Sequence, residues 1–245
     1  MPWELKFKED LNHFKNLTQK HIVIVGRETY YSIPEKSRPL KNRYNIVLNH
    51  YNEGDIGQMY GHVLRHYGAE YNGCNEDYTG KGIDQLENVI KELKTDPYSR
   101  RIGMTTYNVS NLDKGCLYPC HGIYIQFYVE TYENKNYLSC HMTQRSVDCG
   151  CGLPFNIVSY SVLTYIIAMK CDMIPKDLII STGDTHIYND HLEELKKQIK
   201  HKLFPFPKCK INERIKYKDF KEIKVDDFEL IRYLYNPQIK LKMSI

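Results

Sequence analysis

Residues 137–170 constrain the fold more than any other part of the chain. Residues 137–143 alternate apolar and polar side chains, as a half-buried strand does, and residues 155–170 are apolar enough all round to predict a buried helix. Around them, residues 84–93 predict a second helix, with Leu86, Val89, Ile90 and Leu93 at helical spacing. Residues 54–61 are a glycine-rich loop entering a helix, and 191–201 form an amphipathic helix. Residues 101–108, 123–130 and 178–182 read as strands, with shorter ones near 209–214 and 228–235. This order predicts an α+β fold, a mixed sheet backed by a buried central helix.

The same region carries the chemistry. Within 138–161 (LSCHMTQRSVDCGCGLPFNIVSYS) stand Gln144-Arg145-Ser146, the acid Asp148 and Gly152-Leu153-Pro154-Phe155-Asn156, with Pro119-Cys120-His121 upstream. A guanidinium and a hydroxyl suit a phosphate, an amide reads a base edge, and a thiolate attacks. Together they suit an enzyme holding a nucleotide monophosphate against a cysteine. Net charge is +4, which suits phosphate-bearing ligands without pointing to nucleic acid, and the 21 tyrosines follow no RNA-binding pattern. Eight cysteines occur with no CxxC pair, so neither a metal nor a disulfide framework is expected and most are read as inert buried thiols. The charged N-terminus is no signal peptide, and no apolar run approaches ~18 residues, so no membrane span is expected and the compartment is read as reducing and cytoplasmic.

Residues 21–49 read strand–helix–strand: 21–25, a short helix over 27–32, then 44–48 after a turn. An amphipathic helix is predicted over 8–17. The motifs Met1-Pro2-Trp3, Asp10-Leu11, Gly26-Arg27-Glu28-Thr29, Ser32-Ile33-Pro34-Glu35 and Arg38-Pro39-Leu40, followed by Arg43-Tyr44-Asn45-Ile46-Val47-Leu48, resemble the middle of dihydrofolate reductase. The resemblance implies that Asp10 stands where that family keeps its folate-protonating acid, and 26–29 where it cradles a dinucleotide phosphate. The other strands of that fold have no counterpart here, so residues 1–50 are expected to be a β-α-β fragment without reductase activity.

From Gly54 onward the chain resembles thymidylate synthase. The resemblance rests on Asp96-Pro97, Arg100-Arg101-Ile102, Pro119-Cys120-His121, Gln126-Phe127-Tyr128-Val129, Gln144-Arg145-Ser146-Val147-Asp148, Gly152-Leu153-Pro154-Phe155-Asn156, Gly183-Asp184-Thr185-His186-Ile187-Tyr188 and Tyr235-Asn236-Pro237. Residues 51–245 are then a synthase-like domain, and the whole looks like a bifunctional reductase–synthase with a large internal deletion. The resemblance implies reductive methylation of dUMP to dTMP with 5,10-methylenetetrahydrofolate as co-substrate and no metal. Cys120 would attack C6 of the base, Arg145 would lower its pKa and hold the phosphate, and Tyr60 would organise the water that takes the C5 proton. Arg100, Arg101, Gln144, Arg145, Ser146, Asn156, His186 and Tyr188 would bind dUMP, with Asn156 on the uracil edge and His186 and Tyr188 on the 3′-hydroxyl. Asp148 and Gly152 would bind the folate; apart from the resemblance, Asp148 reads as a helix N-cap. Arg100 and Arg101 would reach the partner's site in a homodimer.

The chain departs from the family in four places. No Arg-Thr-Gly loop and no apolar, glutamate-bearing helix precede Gly54; losing such an acid–base group costs ~10²–10⁴-fold in rate. Four residues separate His121 from Gln126 where three are usual, which calls for a bulge if the strand is to keep its facing. Cys149-Gly150-Cys151 replaces bulkier residues, and Met243-Ser244-Ile245 is close to the family's apolar lid tail without matching it. Two alternatives follow: a non-catalytic remnant that binds nucleotide or another synthase chain, and a dCMP/dUMP hydroxymethylase. Asn156 argues against a deoxycytidylate substrate, since an aspartate there marks that activity.

Overall fold

The computed structural model describes residues 55–112 and 114–241, the backbone of 22–26 and 44–48, and positions 19, 33, 40 and 41. Asp10, residues 27–29, the helices expected over 8–17 and 27–32, and Met243-Ser244-Ile245 lie outside the described residues. Strands β1 (Ile22–Gly26) and β2 (Tyr44–Leu48) pair in parallel, Ile22 with Tyr44 through Gly26 with Leu48, as the strand–helix–strand reading expects.

Helix α1 (Tyr60–Arg65) follows the glycine-rich loop, whose anchor is Asp55. Its buried carboxylate accepts from Gly57 N at 2.8 Å, Tyr71 Oη at 2.7 Å and Cys74 N at 2.8 Å. Helix α2 (Gln85–Thr95) begins at Asp84, whose side chain accepts from Glu87 N at 3.1 Å. Leu86, Val89, Ile90 and Leu93 recur on its buried face, as predicted. Gln85 joins these pieces: Nε2 donates to Val63 O and Thr105 O at 2.8 and 2.9 Å, and Oε1 accepts from Thr105 N at 2.9 Å. Tyr60 is thereby held against the sheet.

The main sheet has the order β3 (Gly103–Met104), β4 (Tyr124–Tyr132), β5 (Lys135–Asp148) and β6 (Ile174–His186). It is mixed: β3/β4 and β4/β5 are antiparallel, β5/β6 parallel. The strand expected over 101–108 shrinks to Gly103–Met104, because Thr105 and Thr106 spend their hydroxyls on Ile123 O, His121 O and Gly122 O, and Thr106 N turns to Gly122 O. Ile125, Phe127 and Val129 of β4 point into the core, and Tyr124, Tyr128 and Tyr132 point out, the period of two expected of a strand. Glu133 and Asn134, at φ 48° and 58°, form the two-residue turn into β5.

Helix α3 (Gly152–Lys170) lies on β5 and β6 with Tyr160, Thr164, Ile167 and Ala168 buried. All-round burial does not hold: Phe155, Ile157 and Val158 of its first turns are exposed in the single chain. Apolar composition marks a helix as a core element but does not say which face meets the sheet. By length and composition alone this 19-residue helix is apolar enough to cross a membrane, contrary to expectation, because polar Asn156, Ser159, Ser161 and Thr164 break up the run in sequence. Helix α4 (Leu192–Gln198) and the antiparallel pair β7 (Lys208–Ile211) and β8 (Phe228–Ile231) complete the α-helices and strands among the described residues.

Candidate active site

Cys120 lies in the loop before β4, where its carbonyl is clasped by β5: Arg145 N donates to it at 2.8 Å and Ser146 N at 3.4 Å. The Tyr60 phenol meets it from α1. Its oxygen accepts the Cys120 amide hydrogen at 3.0 Å and lies 3.6 Å from Sγ. Since the oxygen already accepts, its own proton is available to the sulfur. Burial, with the Cys120 thiol beside it, pushes the Tyr60 phenol up to about 12, so it is protonated at neutral pH.

Behind Tyr60 stands His121, its ring stacked at 4.2 Å between centroids, with Nδ1 2.9 Å from Tyr160 Oη. Burial lowers the His121 pKa, which keeps the ring neutral at pH 7. Tyr160 belongs to α3, one turn beyond Asn156; residues four apart share a helix face, so Asn156 and Tyr160 look toward the same cleft wall. Gly122 makes this closeness possible. It sits at φ +65°, and a Cβ there would stand 2.3 Å from Tyr160 Oη.

Arg145 lies beside the Cys120 loop, with Nε donating to Pro119 O at 3.3 Å. Gln144 is fully buried; its Nε2 donates to Ser146 O at 3.1 Å, while Oε1 has no hydrogen-bond partner among the described residues. Two residues beyond Ser146, the Asp148 Oδ1 accepts from Gly150 N at 2.9 Å and Cys151 N at 3.2 Å, ordering the turn that launches α3 at Gly152. Asp148 pairs in register with His186, whose Nδ1 lies 3.3 Å from Asp184 Oδ1 and whose ring meets Tyr188 edge-on at 5.1 Å. Cys140 and Cys171 are buried in the core, and burial pushes both thiols up to about 11.

This arrangement can hold an anion at Arg145, present a thiol for attack and line a planar ligand with amides. The thymidylate synthase family model matches residues 4–245. The chain belongs to the thymidylate synthase family. Thymidylate synthase of Saccharomyces cerevisiae is 48% identical over 197 residues, covering 78% of this chain and 64% of that protein. Thymidylate synthase of Candida albicans is 45% identical over 215 residues, covering 82% and 68%. The bifunctional dihydrofolate reductase-thymidylate synthase of Zea mays is 47% identical over 201 residues, covering 82% and 37%. The chain thus spans just under two thirds of the first relative's length and little more than a third of the maize protein's.

Of the residues singled out from the sequence, this family member brings Cys120, Tyr60, Arg145 and Ser146 into direct contact through the Cys120 loop, and lays Asp148, Gly152, His186 and Tyr188 along the adjoining ends of β5 and β6. Arg100 and Arg101 are not brought in. Both are exposed, and neither guanidinium makes a hydrogen bond or ion pair among the described residues. The Asp148 oxygen serves the turn into α3, close to the capping role that its residue type also predicts. The extra residue between His121 and Gln126 is absorbed at Gly122, ahead of the strand, so β4 pairs with β5 without a break from Tyr124 to Tyr132. The expected bulge is absent from that ladder. Sequence reasoning gave the His121 side chain and Tyr160 no role. The signal that finds Tyr160 is its spacing of four from Asn156 on one helix.

Proposed function

We propose that this chain is a thymidylate synthase that methylates dUMP to dTMP with 5,10-methylenetetrahydrofolate through a covalent bond from Cys120 to the base. The observation that supports this best is the half-buried Cys120 thiol within 3.6 Å of the protonated Tyr60 phenol, beside an exposed arginine. A remnant that only bound nucleotide would need none of these at the sulfur. Arg145 would take the phosphate, Ser146 and Gln144 would support it, and Asn156 would pair with the uracil edge. His186 and Tyr188 would hold the sugar hydroxyl. Asp148 and Gly152, at the mouth of the same strand ends, would meet the folate ring, which supplies the one-carbon unit and the hydride.

The active form would be a homodimer. A groove of about 400 Å³ on the outer face of the sheet is lined by Arg100, Gln126, Tyr128, His141 and Ile179. A guanidinium without a partner among the described residues, at a groove of mixed tyrosine and polar lining, suits a subunit interface that delivers a charge to the other copy. Residues 1–50 would be a reductase-like fragment without reductase activity; the parallel pairing of β1 and β2 fits the strand–crossover–strand part of that reading.

The test is incubation with fluorodeoxyuridylate and methylenetetrahydrofolate followed by intact-mass measurement. A covalent ternary adduct on Cys120 is expected. Nucleotide binding without an adduct would favour the non-catalytic remnant, and hydroxymethylated product in place of thymidylate would favour the hydroxymethylase.

A further inference from the structure

Cys151 takes no part in the reading above, yet its surroundings are those of a ligand set. Its Sγ, a ring nitrogen of His191 and a carboxylate oxygen of Asp148 all lie within 4.8 Å of one another. His191 is fully buried, and Nδ1 is the ring nitrogen turned toward this group, 3.9 Å from Asp148 Oδ1. Gly150 lets the three meet. A Cβ there would stand 2.7 Å from His191 Nδ1 and 3.4 Å from Asp148 Oδ1, so any side chain would crowd the ground between them.

We propose that Asp148, Cys151 and His191 form a site for a thiophilic divalent cation of the Zn²⁺ kind, with a fourth coordination position left to water. One thiolate, one imidazole and one carboxylate match the donor preferences of such an ion, and three protein ligands leave an open position. Ligand atoms around a tetrahedral zinc, at bond lengths of about 2.0–2.3 Å, stand roughly 3.3–3.7 Å apart. The observed spacing of up to 4.8 Å therefore needs contraction of at most about 1.5 Å, which the partly exposed Asp148 and Cys151 side chains can supply while burial fixes the imidazole. The amides of Gly150 and Cys151 already hold the carboxylate in place from behind. Asp190 is a second carboxylate acting on this thiol. The start of α3 opposes a cation with about half an elementary charge, less than three anionic groups provide. Binding would release the thiol proton to solvent.

Co²⁺ titration of the full chain, freed of metal by a chelator, tests this. The parent is expected to bind one Co²⁺ with a near-ultraviolet sulfur-to-cobalt absorption, displaced by Zn²⁺. Cys151→Ser is expected to lose that absorption, and Asp148→Asn to bind more than about tenfold more weakly. Cys74→Ser, which changes an exposed thiol elsewhere, is expected to keep both properties. No sulfur-to-cobalt band in the parent, or an undiminished band in Cys151→Ser, would overturn the site. Because Asp148 is also assigned to the folate, Zn²⁺ should weaken folate binding at least tenfold. That consequence rests on the proposed function, whereas the cobalt spectrum does not, so the two can fail separately.

Discussion

The Tyr60 hydroxyl holds the Cys120 backbone and faces its thiol at once, accepting from N at 3.0 Å and lying 3.6 Å from Sγ. A single phenol thus fixes both the position of the Cys120 thiol and the polarity of its surroundings. With its pKa pushed to about 12 by burial, it stays a donor throughout the physiological range.

Tyr60→Phe removes the acceptor for the Cys120 amide and the donor to its sulfur. Turnover is expected to fall by about 10²-fold or more, with the dUMP dissociation constant moving less than tenfold. Single-turnover kinetics beside nucleotide titration separates the two. A variant that turns over like the parent would remove Tyr60 from the reaction.

Gly122 and Tyr160 should be coupled. Gly122→Ala places a Cβ 2.3 Å from Tyr160 Oη at a backbone φ of +65°, and should destabilise by more than about 2 kcal/mol. Tyr160→Phe alone loses the bond to His121 and should cost about 1 kcal/mol. In the double variant the clashing oxygen is gone, so the loss should be smaller than the sum of the two. Denaturant unfolding of all four proteins gives the coupling energy, and strict additivity would contradict the contact.

These residues show where the sequence could be read and where it could not. Helix α2 was legible because its apolar spacing and the Asp84 cap agree, and β4 because alternation is a local property. The contact between Tyr60 and Cys120 spans 60 positions, and the sequence could place both near the reaction only through a family likeness. The exposed side of α3 was illegible for a different reason: Phe155 and Val158 are as apolar as Ile167, and only the position of the sheet tells them apart. The role of Gly122 needed the position of Tyr160, a partner supplied by another element.

Asn156→Asp is expected to shift preference from deoxyuridylate toward deoxycytidylate. The amide offers a donor and an acceptor to the base edge, and the carboxylate only acceptors, a mismatch worth a few kcal/mol in discrimination. Relative affinities measured by competition would show it. An unchanged ratio would place Asn156, although buried on the cleft side of α3, outside the base site.

Stability should respond to pH through His121. Burial holds its folded pKa below the ordinary 6.5, so the unfolded chain binds more protons as pH drops. The stability this group allows is complete above about pH 6.5 and is lost as pH falls through the folded value. His121→Gln should therefore show a shallower loss of stability than the parent between neutral pH and pH 5. Parallel curves, from thermal unfolding at matched ionic strength, would mean that His121 is solvated in solution.

Arg100 and Arg101 supply the sharpest test of the shared site. Both residues are exposed and their guanidiniums have no partner among the described residues, and Arg100 lines the groove on the outer sheet face. If they complete the phosphate site of a second copy, Cys120→Ala and Arg101→Ala each disable every site in their own homodimer. In a mixed dimer one site carries both defects and the other carries neither. Mixing the two inactive proteins, with exchange of subunits, should then restore activity toward about a quarter of the parent's, the share expected when half the dimers are mixed and one site in each is whole. Sedimentation should show a dimer throughout. A monomer, or a dimeric mixture without recovered activity, would take Arg101 out of the neighbouring site.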